Sequence, residues 1–265
     1  MPWKDVLLID DNLDLVAEEV LDNVEHTMGC RLPTDYRAVM TTFGVGTYCD
    51  FVCFTHPDEI PARTKQSREI WAKNSDFFWP QSNFVLSIDL AMQSLVLATT
   101  ADGDEIIFCP PAQGRLFVLP RHEEIICTMP LGLGDPLVWE AASGSAPETH
   151  HFRYFEPSRG RGHVELITAR TDLTIDSLYQ RILPRLAPGA ESVPTIEGDG
   201  LLVAFFQSER SRVQLTAGGA NDRRIRARIS YNLGQTIAVG ALIEDLVSTG
   251  FREIGRFPGA TTAEL

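Results

Sequence analysis

The stretch that most constrains this chain is Leu32-Pro33-Thr34-Asp35-Tyr36-Arg37, continuing through Val39, Met40 and Phe43 to Gly44-Val45-Gly46. Pro33 and Thr34 read as a helix start, with the Thr34 side-chain oxygen available to the unpaired N–H groups of the first turn. Tyr36, Val39, Met40 and Phe43 then share one helical face. Gly44 ends the helix because it accepts the left-handed conformation. So short a helix gains little alone and must dock its apolar face onto something larger.

The elements around it predict where it docks. Asp11 or Asn12 can cap a preceding helix that runs to about Met28, with Leu13, Val16, Val20 and Val24 as its apolar stripe and Gly29 as its end. The two helices would form a hairpin. Thr47–Phe54 reads as one strand, and Ile60–Lys73 as a helix with Pro61 in its first turn. Four strand candidates follow: Phe84–Ile88, Ser94–Ala98, Glu105–Phe108 after the Asp102-Gly103 turn, and Arg115–Leu119. Trp139 would close a short helix, and 141–147 reads as a linker.

The second half predicts strands at 152–155 and 163–168, joined by Pro157–Gly162. A helix from Thr174 carries Leu178, Ile182 and Leu186. A fully apolar and therefore interior strand covers Leu201–Phe206, and two strands, Val213–Thr216 and Arg224–Ser230, flank a loop at 218–222. Thr236–Ser248 reads as a helix, Phe251–Phe257 as a last strand, and 258–265 as a frayed tail. The expected class is α+β: N-terminal helices packed on an antiparallel sheet over 1–142, plus a smaller α+β domain over 150–258.

Charge separates the halves. Residues 1–150 hold 9 Lys+Arg against 23 Asp+Glu, a net of −14, whereas 151–265 net +1. A field of that sign repels nucleic acid and attracts basic surfaces. Five cysteines, Cys30, Cys49, Cys53, Cys109 and Cys127, lack paired spacing, which predicts free thiols in a reducing cytoplasm. No apolar run approaches membrane-span length and the N-terminus lacks a signal-peptide pattern, so a cytoplasmic protein is expected.

The Leu-Pro-x-Asp-Tyr-Arg motif, its short apolar helix and Gly-x-Gly resemble the opening of the SUKH superfamily, which includes the fungal Smi/Knr cell-wall regulators. The Asp102-Gly103-Asp104 turn and the Gly114–Leu119 strand resemble its later pieces, so the likeness covers about residues 10–140. It implies helices packed on a curved antiparallel sheet and a non-enzymatic function. Bacterial members are typically immunity proteins that bind and neutralise toxins, often nucleases or nucleic-acid deaminases. The alternative is a regulatory scaffold of the Smi/Knr type. Toxin-binding residues vary across the family, so none carries over.

Acidity therefore selects the expected contacts for a basic protein toxin: Asp14, Glu18, Asp22 and Glu25 on the first helix, and Asp102, Asp104 and Glu105 at the turn. Asp102, Asp104 and Glu105 lack the offsets of a calcium loop and read as a hairpin turn. His150, His151 and His163 lack a ligand spacing. Cys109 or Cys127 with His122-Glu123-Glu124 reads as buried thiols rather than a nucleophile pair. Arg159-Gly160-Arg161-Gly162 is too short to cradle a phosphate. Arg224, Arg226 and Arg228 alternate with Ile225, Ala227 and Ile229, which places three guanidinium groups on one strand face. Without interleaved aromatics, direct nucleic-acid binding is disfavoured, and the stripe is expected to pair with an acidic surface on the first domain or on a partner. No cofactor, metal or catalytic residue is expected.

Overall fold

The computed structural model describes residues 6–258 except 83, 122–123, 130–132, 134–152, 171, 191–192, 199 and 219–223. The Trp139 helix, the 141–147 linker, His122, Glu123, His150, His151, the 219–222 part of the loop and the 259–265 tail lie outside the described residues. The chain divides into two compact units, and the division does not follow chain order. Residues 13–146 form the first with the N-terminal six, while Leu7–Asn12 belongs with 147–265 in the second.

In the first unit, helices Glu18–Met28 and Thr34–Thr42 form the expected hairpin, and Gly29 closes the first of them at φ 68°. The helix starts later than the sequence suggests. Its N-cap is Ala17, with no side-chain cap, because the preceding residues are held elsewhere. The Asp14 C=O accepts from Val45 N–H (3.3 Å) and Val16 N–H donates to Met40 C=O (3.0 Å). Val16 and Val24 of the expected stripe are buried, while Leu21 and Glu25 take the inward places expected of Leu13 and Val20, which are half-buried. Thr34 does not cap its helix either; Pro33 stands at the N-cap position.

The expected Thr47–Phe54 strand is a hairpin, Gly46–Tyr48 against Val52–Phe54. Cys49 and Asp50 both take positive φ (53° and 57°), which turns the chain back. Ile60–Lys73 is a helix as the pattern predicts, and Leu95–Thr100, Glu105–Cys109 and Arg115–Leu119 form an antiparallel meander. The Phe84–Ile88 strand is absent. Helix Ser75–Ser82 precedes that stretch and a short helix, Ile88–Ala91, follows it, with the Ser87 hydroxyl accepting from Leu90 N–H (3.4 Å). Leu86 is buried there, joining Trp71, Trp79, Ile107, Phe117 and Ile126 in the core, with Val85 and Ile88 half-buried against the same cluster, while Phe84 stays 86% exposed.

The second unit is a six-stranded antiparallel sheet, ordered Thr195–Gly198, Leu201–Phe206, Ser211–Ala217, Ile225–Asn232, Arg161–Thr168 and Arg252–Pro258. Helices Ile175–Leu186 and Thr236–Ser248 cover one face, where Leu178, Ile182, Leu242 and Leu246 meet Val164, Leu166, Leu215 and Ile229. Thr174 caps its helix through a reciprocal box with Ser177, and Leu201–Phe206 is flanked on both sides as its apolar run requires. Thr195–Gly198 carries too little apolar pattern to be read from sequence. The 153–157 strand does not pair with the strand after it; Leu7 and Leu8 run beside it, and Ile9 N–H donates to Phe155 C=O (3.1 Å).

Gly44 fixes how the hairpin enters the first unit. Its φ is +77°, and a Cβ there would lie 1.9 Å from the Asp14 carbonyl oxygen. Gly44→Ala should destabilise this unit by roughly 2–4 kcal/mol, from left-handed strain plus a backbone clash. Gly29→Ala, with open space around its Cβ, should cost only about 1 kcal/mol. Urea denaturation of both variants checks the order; equal losses would remove the close approach as the cause.

Candidate functional site

The motif arginine gathers the acidic helix. Arg37 meets Asp22 at 3.0 Å and Glu25 at 3.0 Å, and it also pairs with Glu18. These carboxylates are spaced i, i+4 and i+7 on Glu18–Met28, so one face of that helix lies along one guanidinium. Glu25 is buried, and it accepts from Leu32 N–H (2.9 Å) and Arg31 (2.9 Å) as well. Burial opposes its ionisation, yet the Leu32 N–H and the two arginines hold its carboxyl below the ordinary range. Tyr36 adds a hydroxyl bond to Thr55 C=O at 2.6 Å. Thus Leu32 and Arg37 close the hairpin onto Glu25, Tyr36 ties the second helix to Thr55, and Gly44 lies against Asp14.

The expected contact residues separate accordingly. Glu25 faces inward. Asp104 is buried, its carboxylate accepting from Thr100 Oγ1 (2.9 Å) and Arg121 N–H (2.8 Å), so it closes its own turn. Glu105 accepts from Trp71 Nε1 (2.7 Å) and from the Ser67 hydroxyl, tying the Ile60–Lys73 helix to the sheet. Asp14 is half-buried beside Gly44. Glu18 and Asp22 keep side chains 59% and 60% exposed despite Arg37, and Asp102 is exposed. Of the expected contacts, those that face outward are therefore Glu18, Asp22 and Asp102. Counted by compact unit, the first carries 9 basic and 20 acidic residues, a net of −11, and the second 14 and 16, a net of −2.

Arg224, Arg226 and Arg228 lie as the alternation predicts: Ile225, Ala227 and Ile229 are in the core, Arg224 and Arg226 are exposed, and Arg228 is half-buried. Arg228 stands directly opposite Glu165. The stripe is thus partly balanced within its own sheet.

The same face holds a cluster that sequence reading missed. Glu156 is buried and accepts from Arg161 (2.7 Å) and Arg212 (3.1 Å), and from the Ser230 hydroxyl. Asp10, also buried, accepts from Asn232 Nδ2 (2.5 Å) and lies 3.4 Å from Arg161. Arg210 takes a left-handed φ of 46°, and its C=O accepts from Asn232 N–H (3.2 Å) and from Arg161. Tyr154 stacks on Phe205 (4.7 Å between ring centroids), with the Arg212 guanidinium 5.7 Å from the Tyr154 centroid. Burial opposes ionisation of Glu156, but Arg212 and Arg161, with the Ser230 hydroxyl, bring its carboxyl down to about 2. Beside it, burial and the Arg228 charge lower the His163 pKa. No linear pattern links Asp10 to Arg161; the only sequence hint was the Arg-x-Arg of the preceding loop.

Cys109 is buried and Cys127 half-buried, and none of the five cysteines is in a disulfide. Among the described residues no three His, Cys, Asp or Glu side chains are grouped to hold a metal, and no helix is long and apolar enough to cross a membrane.

The arrangement defines, for the first unit, an α+β domain whose helical hairpin is locked by one arginine and which keeps Glu18, Asp22 and Asp102 exposed. Residues 15–126 match the family model described as SMI1 / KNR4 family (SUKH-1), so this part of the chain is a SUKH-1 domain, in line with the resemblance carried by its motif. No curated protein and no solved structure matches the chain.

Glu156 generates a pH prediction. Its folded pKa is depressed, so its contribution is present above the ordinary carboxyl value near 4.5 and is lost as pH falls toward about 2. Glu156→Gln leaves Arg161 and Arg212 buried with one fewer counter-charge and should cost about 3–5 kcal/mol at pH 7. The variant's loss relative to wild type should shrink between pH 4.5 and pH 2.5 in thermal melts. A pH-independent difference would show that the charge is not what matters.

Proposed function

We propose that this protein acts without catalysis, by stoichiometric binding of a protein partner through the acidic exterior of its SUKH-1 unit, and that the partner is a toxin used in competition between bacteria. The observation that carries this reading is the SUKH-1 match over residues 15–126, taken with the net −11 of the unit that contains it. A toxin that cuts or deaminates nucleic acid needs a basic groove for phosphates, and an acidic surface competes for that groove with fast, steered association. Glu18, Asp22 and Asp102 are the proposed contacts on the first unit. Arg224 and Arg226 on the second would add specificity against acidic parts of the same partner. The compartment that suits this role is the cytoplasm.

The competing reading is a regulatory scaffold, favoured by the SMI1/KNR4 description of the matching family. Co-expression with a secreted toxin encoded beside this gene separates the two. Immunity predicts restored growth and a stable one-to-one complex. Asp102→Lys combined with Asp22→Lys should slow association about tenfold at low salt, with the difference shrinking at high salt. Failure to bind or protect against any neighbouring toxin, together with several weak, salt-sensitive household partners, would favour the scaffold.

A further inference from the structure

Among the described residues, Arg252–Pro258 is the last strand of the second unit's sheet; it pairs with Arg161–Thr168 and has no strand along its other edge. Arg252, Glu253, Ile254, Arg256 and Phe257 are all exposed, Ile254 by 48% and Phe257 by 52%. An edge of this kind offers unpaired N–H and C=O groups to another strand. Its register is irregular between Glu253 and Gly255, which brings residues an odd number apart onto the same side of the strand. Glu253 and Arg256 stand opposite Leu166 and Val164, and Arg252 and Phe257 opposite Ile167 and His163. Arg256 and Glu253 are already paired at 2.9 Å within the strand.

Charges and bulges on an edge ordinarily deter pairing. Here the charge order is its own complement when the strand is reversed. We propose that a second copy of this chain occupies the edge, antiparallel, about a twofold axis between Ile254 and Gly255, so that the two six-stranded sheets become one. Glu253 then faces the partner's Arg256, and Arg256 the partner's Glu253, on the helix-covered side. On the opposite side Arg252 faces the partner's Phe257, a cation over an aromatic ring. Ile254 faces the partner's Gly255, over which that chain's own Phe257 ring lies, so the two apolar side chains meet. A peptide of one charge sign would break the Glu253–Arg256 pair and match only one of its members, whereas a second copy exchanges that pair for two across the seam. The interface is isologous and closed, so it yields a dimer rather than a filament. It stands independently of what the first unit binds.

Sedimentation velocity on the full chain tests this. The wild type should be a dimer. E253R and R256E each place like charges opposite one another twice and should weaken self-association at least about tenfold. An equimolar mixture of E253R and R256E should dimerise again, because one copy then offers two cations to the other copy's two anions, and the E253R/R256E double variant should dimerise by itself. A wild type that stays monomeric up to its solubility limit overturns the proposal. So does a dimer that neither substitution weakens, or a mixture that stays monomeric.

Discussion

Each unit is organised around one buried carboxylate held by arginines. In the first, Glu25 receives Leu32 N–H, Arg31 and Arg37, and thereby fixes the turn between two helices neither of which has a side-chain cap. In the second, Glu156 receives Arg161, Arg212 and Ser230, which come from three different strands of one sheet. A charge buried in this way is tolerable only when its partners are fixed, so the surrounding backbone has little freedom to shift register. Such pairs contribute specificity of arrangement more readily than net stability, since the desolvation cost offsets much of the attraction.

That division of labour bears on function. An acidic chain looks from its composition as if every carboxylate were available to a partner. The structure shows that Glu25, Asp104 and Glu105 answer internal donors, while Glu18, Asp22 and Asp102 keep exposed side chains. The outward set is smaller than the sequence suggested, and it lies on a unit whose charge remains strongly negative. Arg37 works twice here: it locks the helical hairpin and it moderates repulsion among the carboxylates it gathers.

What was legible in the sequence was whatever depended on local periodicity. Ile60–Lys73, the 95–119 meander, the Thr174 cap and the alternating 225–231 strand all follow from spacing within a dozen residues. The motif marked Tyr36 and Arg37 as residues of interest without revealing their partners. Illegible features were those set by distant contacts. Asp11 and Asn12 resemble a helix cap, but Asp11 meets Arg210 at 2.8 Å and Asp10 is held by Arg161 and Asn232. The Phe84–Ile88 run has strand composition, yet Val85, Leu86 and Ile88 all reach one core without strand pairing, and Ser87 starts a helix. In Thr47–Phe54 the aromatic content hid a turn that rests on two non-glycine residues at positive φ, a feature that composition does not announce.

Residues 7–12, although they precede the SUKH-1 segment, are held by the second unit through Asp10 and the Glu156 cluster. Hydrogen exchange of the intact chain, followed by mass spectrometry as pH is lowered from 7 toward 2 with exchange times corrected for the intrinsic rate, measures this directly. Peptides covering 7–12, 153–157, 161–168 and 225–232 should lose protection together, because they share the Glu156 cluster, whose contribution is lost as pH falls toward about 2. If 7–12 instead kept or lost protection in step with the 15–126 peptides, the assignment of that segment to the second unit would be contradicted.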